Sequence, residues 1–346
     1  MNEVGPIRRA TVHDVARTAG VSLATVDRVL NGRPGVRRVT AEKVEAAIAA
    51  LDFRRDLSAS LLARARDLRV LFLIPDGTNE FMANLTAAIR GRSRAAHAER
   101  LNLEPGSYTA LDSRALAARI NGLDPKSCDC AVVVATEDDE VHAAIDNAVR
   151  RGVTIMTLVS DLPESQRTLF IGIDNIAAGR TAGSLMGRFM GEGKVGVIAG
   201  SLGLRDHHER LDAFHDVLRT EFPNVEVVPA LEGRDDDAQT EARANELLAA
   251  HADLRGIYNI GAGNAGLIRT LEASDRAGSV RVIAHELADP TRAALKNGTI
   301  DVVLDQNPDR EIRAAVAAAR ALALGAPRGF QAEPIEIGIF LRDNLI

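Results

Sequence analysis

The sequence predicts a small all-α helix-turn-helix unit followed by an α/β body of two doubly wound parallel-sheet lobes. Three observations carry this. Residues 11–51 hold three apolar patterns at helical spacing and no strand pattern, whereas from Arg69 onward apolar runs alternate with longer helical segments. Charge also changes sign along the chain: residues 1–69 hold 13 Lys/Arg against 8 Asp/Glu, net +5, and the remainder is net −11. That asymmetry suits a module for a polyanion joined to a body that avoids one, although a mildly basic solvated surface would give the same count.

The first helix opens at Thr11-Val12-His13-Asp14, a hydroxyl cap followed by a carboxylate, and Val12, Val15, Ala16 and Ala19 recur along one face. Gly20 stops it. Ser22 caps the second helix, Leu23 to Leu30, with Val26, Val29 and Leu30 as its apolar side. Asn31-Gly32-Arg33-Pro34-Gly35 is a turn cluster, and a third helix runs from about Arg38 to Leu51 with Val39, Val44, Ala47, Ile48 and Leu51 inward. Two short helices across a Gly turn, buttressed by a third, make a helix-turn-helix domain.

In the body, strand candidates are Val70–Pro75, Cys130–Ala135, Val153–Val159, Val195–Ala199, Val225–Ala230, Gly256–Ile260, Val280–Ala284, Val302–Leu304 and Ile335–Phe340. Runs apolar on both faces and joined by helices imply parallel sheets covered on both sides. So many strands are too many for one sheet, so two lobes are expected, with a ligand at the carboxyl ends of the strands between them. The 346 residues, 46% apolar and 26% charged, allow two or three domains and a sizeable core. No apolar run approaches the ~20 residues of a bilayer crossing, and the N-terminus lacks the apolar stretch of a secretory signal. A cytoplasmic location is expected. Cys128 and Cys130 are too few for a zinc site and too close for a disulfide framework, and read as reduced core thiols.

The stretch Asp14-Val15-Ala16-Arg17-Thr18-Ala19-Gly20-Val21-Ser22-Leu23-Ala24-Thr25-Val26-Asp27-Arg28-Val29-Leu30-Asn31 resembles the DNA-binding signature of the lactose-repressor family of bacterial transcription regulators. The resemblance continues through Val36, Thr40, Lys43 and Val44 to a hinge segment ending near Leu62-Ala63. The rest of the chain resembles that family's effector domain, related to type I periplasmic sugar-binding proteins. It implies a helix-turn-helix domain at 1–54, a hinge at 55–68 and an effector-binding and dimerisation domain at 69–346. Its lobes would be about 69–173 with 307–330, and 174–306 with 331–346.

By this resemblance the second helix enters the major groove of a palindromic double-stranded operator, bound by a homodimer. Leu23 and Ala24 would offer apolar contact to base edges. Arg28 could pair with guanine O6 and N7, worth about 1–3 kcal/mol of discrimination, or contact phosphate instead. Thr11, Ser22, Thr25 and Asn31 map to phosphate-positioning groups, with helix caps as the alternative for Thr11 and Ser22. Asp27 replaces the usual Ser and would repel phosphate or turn to Arg28 or Arg33. Ala59 and Leu62 fall in the hinge, with Leu62 where the family wedges a leucine into a minor-groove step. Arg55-Asp56 replaces the family's Pro-Asn before it.

For the effector, a sugar, polyol or sugar derivative, the resemblance points to Asn79 and Phe81 in Thr78-Asn79-Glu80-Phe81, Asp161, His207, Arg210, Glu286 and Gln306. Leu162 stands where an arginine often follows the aspartate. Carboxylates, amides and an arginine around an apolar ring suit a neutral polyhydroxylated ligand. The family's usual Asn-Asp after the 256–260 strand is replaced by Gly261-Ala262-Gly263-Asn264-Ala265-Gly266, with Asn259 or Asn264 in place of the missing amide. Alone, that G-x-G-x-x-G and Glu286 beyond the next strand would also fit a nicotinamide-dependent oxidoreductase. Its depth in a two-lobed array and the helix-turn-helix argue against an enzyme, and the same module argues against a transport receptor. His207-His208-Glu209 lacks zinc-hydrolase spacing and no G-x-S-x-G elbow occurs. No catalytic residue, metal or cofactor is expected. The family's tetramers use a further C-terminal helix, and the sequence given stops at Leu341-Arg342-Asp343-Asn344-Leu345-Ile346, so a dimer is expected.

Overall fold

The structure is a computed structural model that describes residues 11–30, 35–51, 67–326 and 329–345. The chain divides into two compact units, Met1–Leu68 with Ala317–Gln331, and Arg69–Val316 with Ala332–Ile346.

In the first unit, α1 (Val12–Ala19), α2 (Leu23–Leu30) and α3 (Arg38–Ala50) follow the expected order. The Thr11 Oγ1 accepts from Asp14 N at 3.3 Å, and Asp14 Oδ2 accepts from Thr11 N at 2.9 Å. This reciprocal box gives the Thr11 amide an acceptor and adds to the bond that Asp14 N makes to the Thr11 carbonyl at 2.9 Å. Gly20, at φ 67°, takes the left-handed conformation that ends α1 without a Cβ clash. Val15, Ala16, Val26, Val44 and Ala47 form the small core, so one face of α2 is spent on packing. Residues 31–34 of the expected turn and residues 55–66 of the expected hinge lie outside the described residues.

The second unit begins with β1 (Leu68–Pro75), α4 (Glu80–Ala98), β2 (Leu101–Tyr108), α5 (Ser113–Asn121), β3 (Cys130–Val133), α6 (Asp139–Arg150), β4 (Thr154–Leu158) and β5 (Leu169–Ile171). Its strands order as β2-β1-β3-β4-β5, and β1, β3, β4 and β5 pair in parallel. All four residues of β3 are buried, as a parallel strand covered by helices on both faces requires. Strands β2 and β5 have no counterpart among the sequence candidates. Both are edge strands: β2 carries Pro105-Gly106 in its middle, which an edge tolerates, and β5 is only 3 residues long.

The second lobe holds α7 (Asn175–Met190), β6 (Gly193–Ala199), α8 (Arg205–Glu221), β7 (Val225–Val227), β8 (Leu231–Glu232), α9 (Asp237–Ala250), β9 (Leu254–Asn259), α10 (Asn264–Ala273), β10 (Arg281–His285), α11 (Asp289–Asn297) and β11 (Val302–Asp305). Then come α12 (Pro308–Ala323) and β12 (Gly338–Phe340). The sheet order is β12-β11-β10-β9-β6-β7, with β8 beside β6. The expectation of wholly parallel sheets needs one correction: β12 runs antiparallel to β11, and only Gly338–Phe340 of the run at 335–340 is strand. Ile335 instead makes an isolated bridge to Ile173.

Helices α7 and α8 pack closely because glycines face the contact. A Cβ at Gly179 would collide with the backbone of Arg210 and lie 2.9 Å from the Ala213 Cβ, and one at Gly183 would lie 3.0 Å from the Phe214 carbonyl. Overpacking there forces α8 away from α7. Gly179→Ala is therefore expected to destabilise the chain by about 1–3 kcal/mol. A melting temperature equal to wild type would show that α8 shifts freely.

Candidate functional site

In the first unit, α2 presents an exposed face. Leu23 is 41% exposed, and Ser22, Ala24 and Arg28 are exposed beside it, while Val26 is buried beneath. Ala24 and Arg28 are one turn apart and so share a face. Thr25 and Asp27 are half-buried. The hydroxyl of Ser22 accepts from Thr25 N at 3.2 Å and lies 2.9 Å from Thr25 Oγ1, so it caps α2, and Thr11 caps α1 as described. Asn31, Ala59 and Leu62 lie outside the described residues.

In the second unit, the rims of the two lobes touch. Glu137 N donates to the Gly203 carbonyl at 3.2 Å, Arg205 Nη1 lies 3.4 Å from Glu137 Oε1, and Thr78 Oγ1 donates to Asp236 Oδ2 at 3.3 Å. Between them is a narrow polar cavity lined by residues of both lobes. Loops after β1, β4, β6, β9, β10 and β11 reach it, so it sits at the carboxyl ends of both sheets.

Asn79, Phe81, His207, Arg210, Glu286 and Gln306, all singled out from sequence, line this cavity. Asn79 Oδ1 accepts from Phe81 N at 2.9 Å and caps α4, which turns the buried Phe81 ring into the wall. Arg210 is 1% exposed. Its Nε donates to Asn175 Oδ1 at 2.9 Å and its Nη1 to the Ile260 carbonyl at 3.2 Å, while Nη2 stands 3.8 Å from Asp206 Oδ2 without a hydrogen bond. Gln306 Nε2 donates to Glu286 Oε1 at 2.6 Å. Glu286 itself has φ 73°, a strained backbone for a residue with a Cβ, which places its carboxyl at the mouth of β10.

Three sequence candidates do not reach the wall. Asp161 is held by Arg167, whose Nε and Nη2 each donate to it at 2.6 Å, and its Oδ1 also takes Leu162 N at 2.8 Å. The arginine missing at 162 is thus supplied five residues later, and it engages the carboxylate rather than the cavity. Asn259 Nδ2 donates to Asn264 Oδ1 at 2.8 Å, and Asn264 Nδ2 to the His285 carbonyl at 2.9 Å. These amides brace the loop whose Gly261 and Ala262 form the wall. The loop's glycines answer to packing: a Cβ at Gly261 would meet Asp235, and one at Gly266 the Asp237 carbonyl.

Sequence reading missed Asp206, Asp235 and His285, which also line the cavity, and the fully buried Glu311. Asp206 is four residues before Arg210 on one helix face, a spacing visible in the sequence. His285 Nε2 lies 2.8 Å from the Tyr258 hydroxyl, and Tyr258 stacks on Phe214 at 4.7 Å between ring centres. Burial, then the charge of Arg210, holds His285 well below the usual histidine range, so it is neutral. Burial first, then the charge of Asp305, pushes the Glu286 carboxyl up to about 8. Burial and the charge of Glu286 raise Glu311 as well. Among the described residues no group of three or more His, Cys, Asp or Glu is placed to hold a metal ion, and no helix is long and apolar enough to cross a membrane.

A two-lobed α/β body with a polar cleft at its strand ends defines a ligand-binding domain. Residues 70–327 match the family described as periplasmic binding protein domain, and residues 11–56 match bacterial regulatory proteins, lacI family. The chain belongs to the periplasmic-binding-protein-domain family and carries the helix-turn-helix module of the lacI family of bacterial regulators. Catabolite control protein A of Priestia megaterium is 44% identical over 79 residues, 23% of this chain and 24% of that protein. The maltose regulon regulatory protein MalI of Escherichia coli K12 is 39% identical over 82 residues, 24% of each chain. The alignments thus span about a quarter of these relatives. Among solved structures, the glucose-galactose binding protein GanP of Geobacillus stearothermophilus has a TM-score of 0.74 at 20% identity, covering 81% of this chain and 99% of that one. A solute-binding protein of Burkholderia graminis, solved with D-arabinose, has a TM-score of 0.74 at 24% identity, covering 81% and 97%. These establish the fold.

Glu286 gives the ligand-free chain a pH signature. Its carboxyl stays protonated in the folded chain up to about pH 8 against 4.5 for a free one, so its contribution is complete below about pH 4.5 and lost as pH rises toward 8. Between those values the melting temperature of wild type should fall more than that of Glu286→Gln. Parallel curves for the two proteins would place the Glu286 carboxyl in water.

Proposed function

We propose that the chain is a DNA-binding transcription regulator, acting as a repressor, whose operator affinity is set by a small polyhydroxylated effector, a sugar or polyol, held between the two lobes. The supporting observation is Arg210, a buried guanidinium in the cavity wall whose Nη2 is 3.8 Å from Asp206 Oδ2 and makes no hydrogen bond. A buried donor left without an acceptor costs about 1–3 kcal/mol, more when charged, and a bound hydroxyl removes that cost. Phe81 supplies the apolar surface for a sugar ring. The face formed by Leu23, Ala24 and Arg28 is the base-reading surface, and a homodimer on a palindromic operator pairs two such faces. This reading assigns no catalysis: the glycine loop that would hold a dinucleotide is packed against Asp235 and Asp237.

Two experiments test it. In a selection from random duplexes, wild type should recover a two-fold symmetric site. Arg28→Ala should then lose preference at one base pair per half-site, costing about 1–3 kcal/mol there, whereas uniform weakening across sequences would assign Arg28 to phosphate. In a calorimetric screen of sugars and polyols, Arg210→Lys should bind the retained compound at least tenfold more weakly, since an ammonium cannot reproduce three directed guanidinium contacts. Wild-type affinity in that variant would remove the cleft as the sensor.

A further inference from the structure

The polar atoms around the cleft are out of balance. Asp206, Glu286 and Glu311 are 4%, 9% and 0% exposed, and Arg210 is the cation buried among them. Glu311, in the first turn of α12, lies behind the wall within electrostatic reach of Glu286, Arg210 and Asp206. Among the described residues, the buried side-chain atoms without a hydrogen bond in and behind the wall are mostly oxygens: Ser160 Oγ, Asp206 Oδ1, Asn259 Oδ1, Glu286 Oε2, Gln306 Oε1 and both oxygens of Glu311. Against them stand Arg210 Nη2 and the Nδ1 of His285.

A hydroxyl group brings one donor and two lone pairs, so a ligand of hydroxyls alone adds acceptors to a site already rich in them. An ammonium brings three donors, no acceptor and a positive charge. Carboxylates buried without a counter-charge are costly, and a charge-assisted pair relieves that cost most directly. On the reading of this cleft as the effector site, we propose that its effector is a polyhydroxylated amine, an amino sugar or amino polyol, whose ammonium is held by Glu286 with Glu311 behind it and whose hydroxyls face Arg210 and Asn79. Glu311 acts as a specificity residue: it is a second buried acid behind Glu286, and an ammonium stabilises the ionised form of this pair, which a neutral ligand does not.

The competing arrangement leaves the carboxyls protonated and lets them donate to a neutral sugar. Glutamine has the shape and the donor of a protonated carboxyl, so Glu286→Gln and Glu311→Gln separate the two. The full chain is titrated by calorimetry at pH 7 with matched probes: D-glucosamine, D-glucose and N-acetyl-D-glucosamine, the corresponding galactose and mannose sets, and 1-deoxynojirimycin with 1,5-anhydro-D-glucitol. In at least one set the amine should bind at least tenfold more tightly than its hydroxyl and N-acetyl partners, and each glutamine variant should abolish that preference. A hydroxyl or N-acetyl partner that matches or exceeds the amine in every set, or amines that bind nowhere in the panel, overturns the proposal. So does retention of amine preference in both glutamine variants. A neutral sugar whose binding still depends on Arg210 would overturn the amine while keeping the cleft as sensor. An amine whose affinity is indifferent to Arg210→Lys, Glu286→Gln and Glu311→Gln would remove the cleft itself.

Discussion

A guanidinium buried without a complete set of partners organises the second unit. Arg210 projects from α8, is fixed by Asn175 of α7 and by the carbonyl at the end of β9, and leaves one nitrogen to the cavity. Each partner belongs to a different element, so the position of that nitrogen reports how α7, α8 and β9 are packed. The glycines of α7 set the packing by letting α8 approach closely. A buried arginine gains little net stability from ion pairing and costs much when unpaired.

The carboxylates follow from the same constraint. Asp206 neutralises part of the guanidinium from one turn away on α8, and Glu286 and Gln306 meet at the ends of neighbouring strands β10 and β11. All of these groups belong to the second lobe, so a change in the approach of the two lobes alters their distances to Asn79 and Phe81 of the first lobe. The contacts of Glu137 with Gly203 and Arg205 close the cleft at its rim, where a ligand's differential affinity for closed and open arrangements would act.

Local chemistry was readable in the sequence, and tertiary burial was not. Thr11, Gly20 and Ser22 announce the helix-turn-helix because caps and left-handed turns are decided within a few residues. Arg210, Glu286 and Gln306 were found through their order along the chain. Glu311 was not, since a glutamate in the first turn of a helix usually faces water, and only the packing of α12 buries it. Asp161 and Asn264 had the right chemistry and location, but nearby donors and acceptors take their hydrogen bonds, and Asn259 commits its Nδ2 to Asn264 behind the wall. Strands β2 and β5 escaped detection because edge strands need no continuous apolar run. The G-x-G-x-x-G was legible as a pattern, but spacing does not reveal that Asp235 and Asp237 lie against its glycines.

The central claim is that occupancy of the cleft and occupancy of DNA are thermodynamically linked on one chain. The direct measurement is the affinity of the full-length protein for its selected operator, by fluorescence anisotropy at fixed salt, with and without a saturating concentration of the cleft-binding compound. The account predicts a change of at least fivefold, the lower end of ordinary allosteric coupling, and the same factor in the compound's affinity measured with and without operator. Equal operator affinity in both conditions, with the compound demonstrably bound, would contradict it.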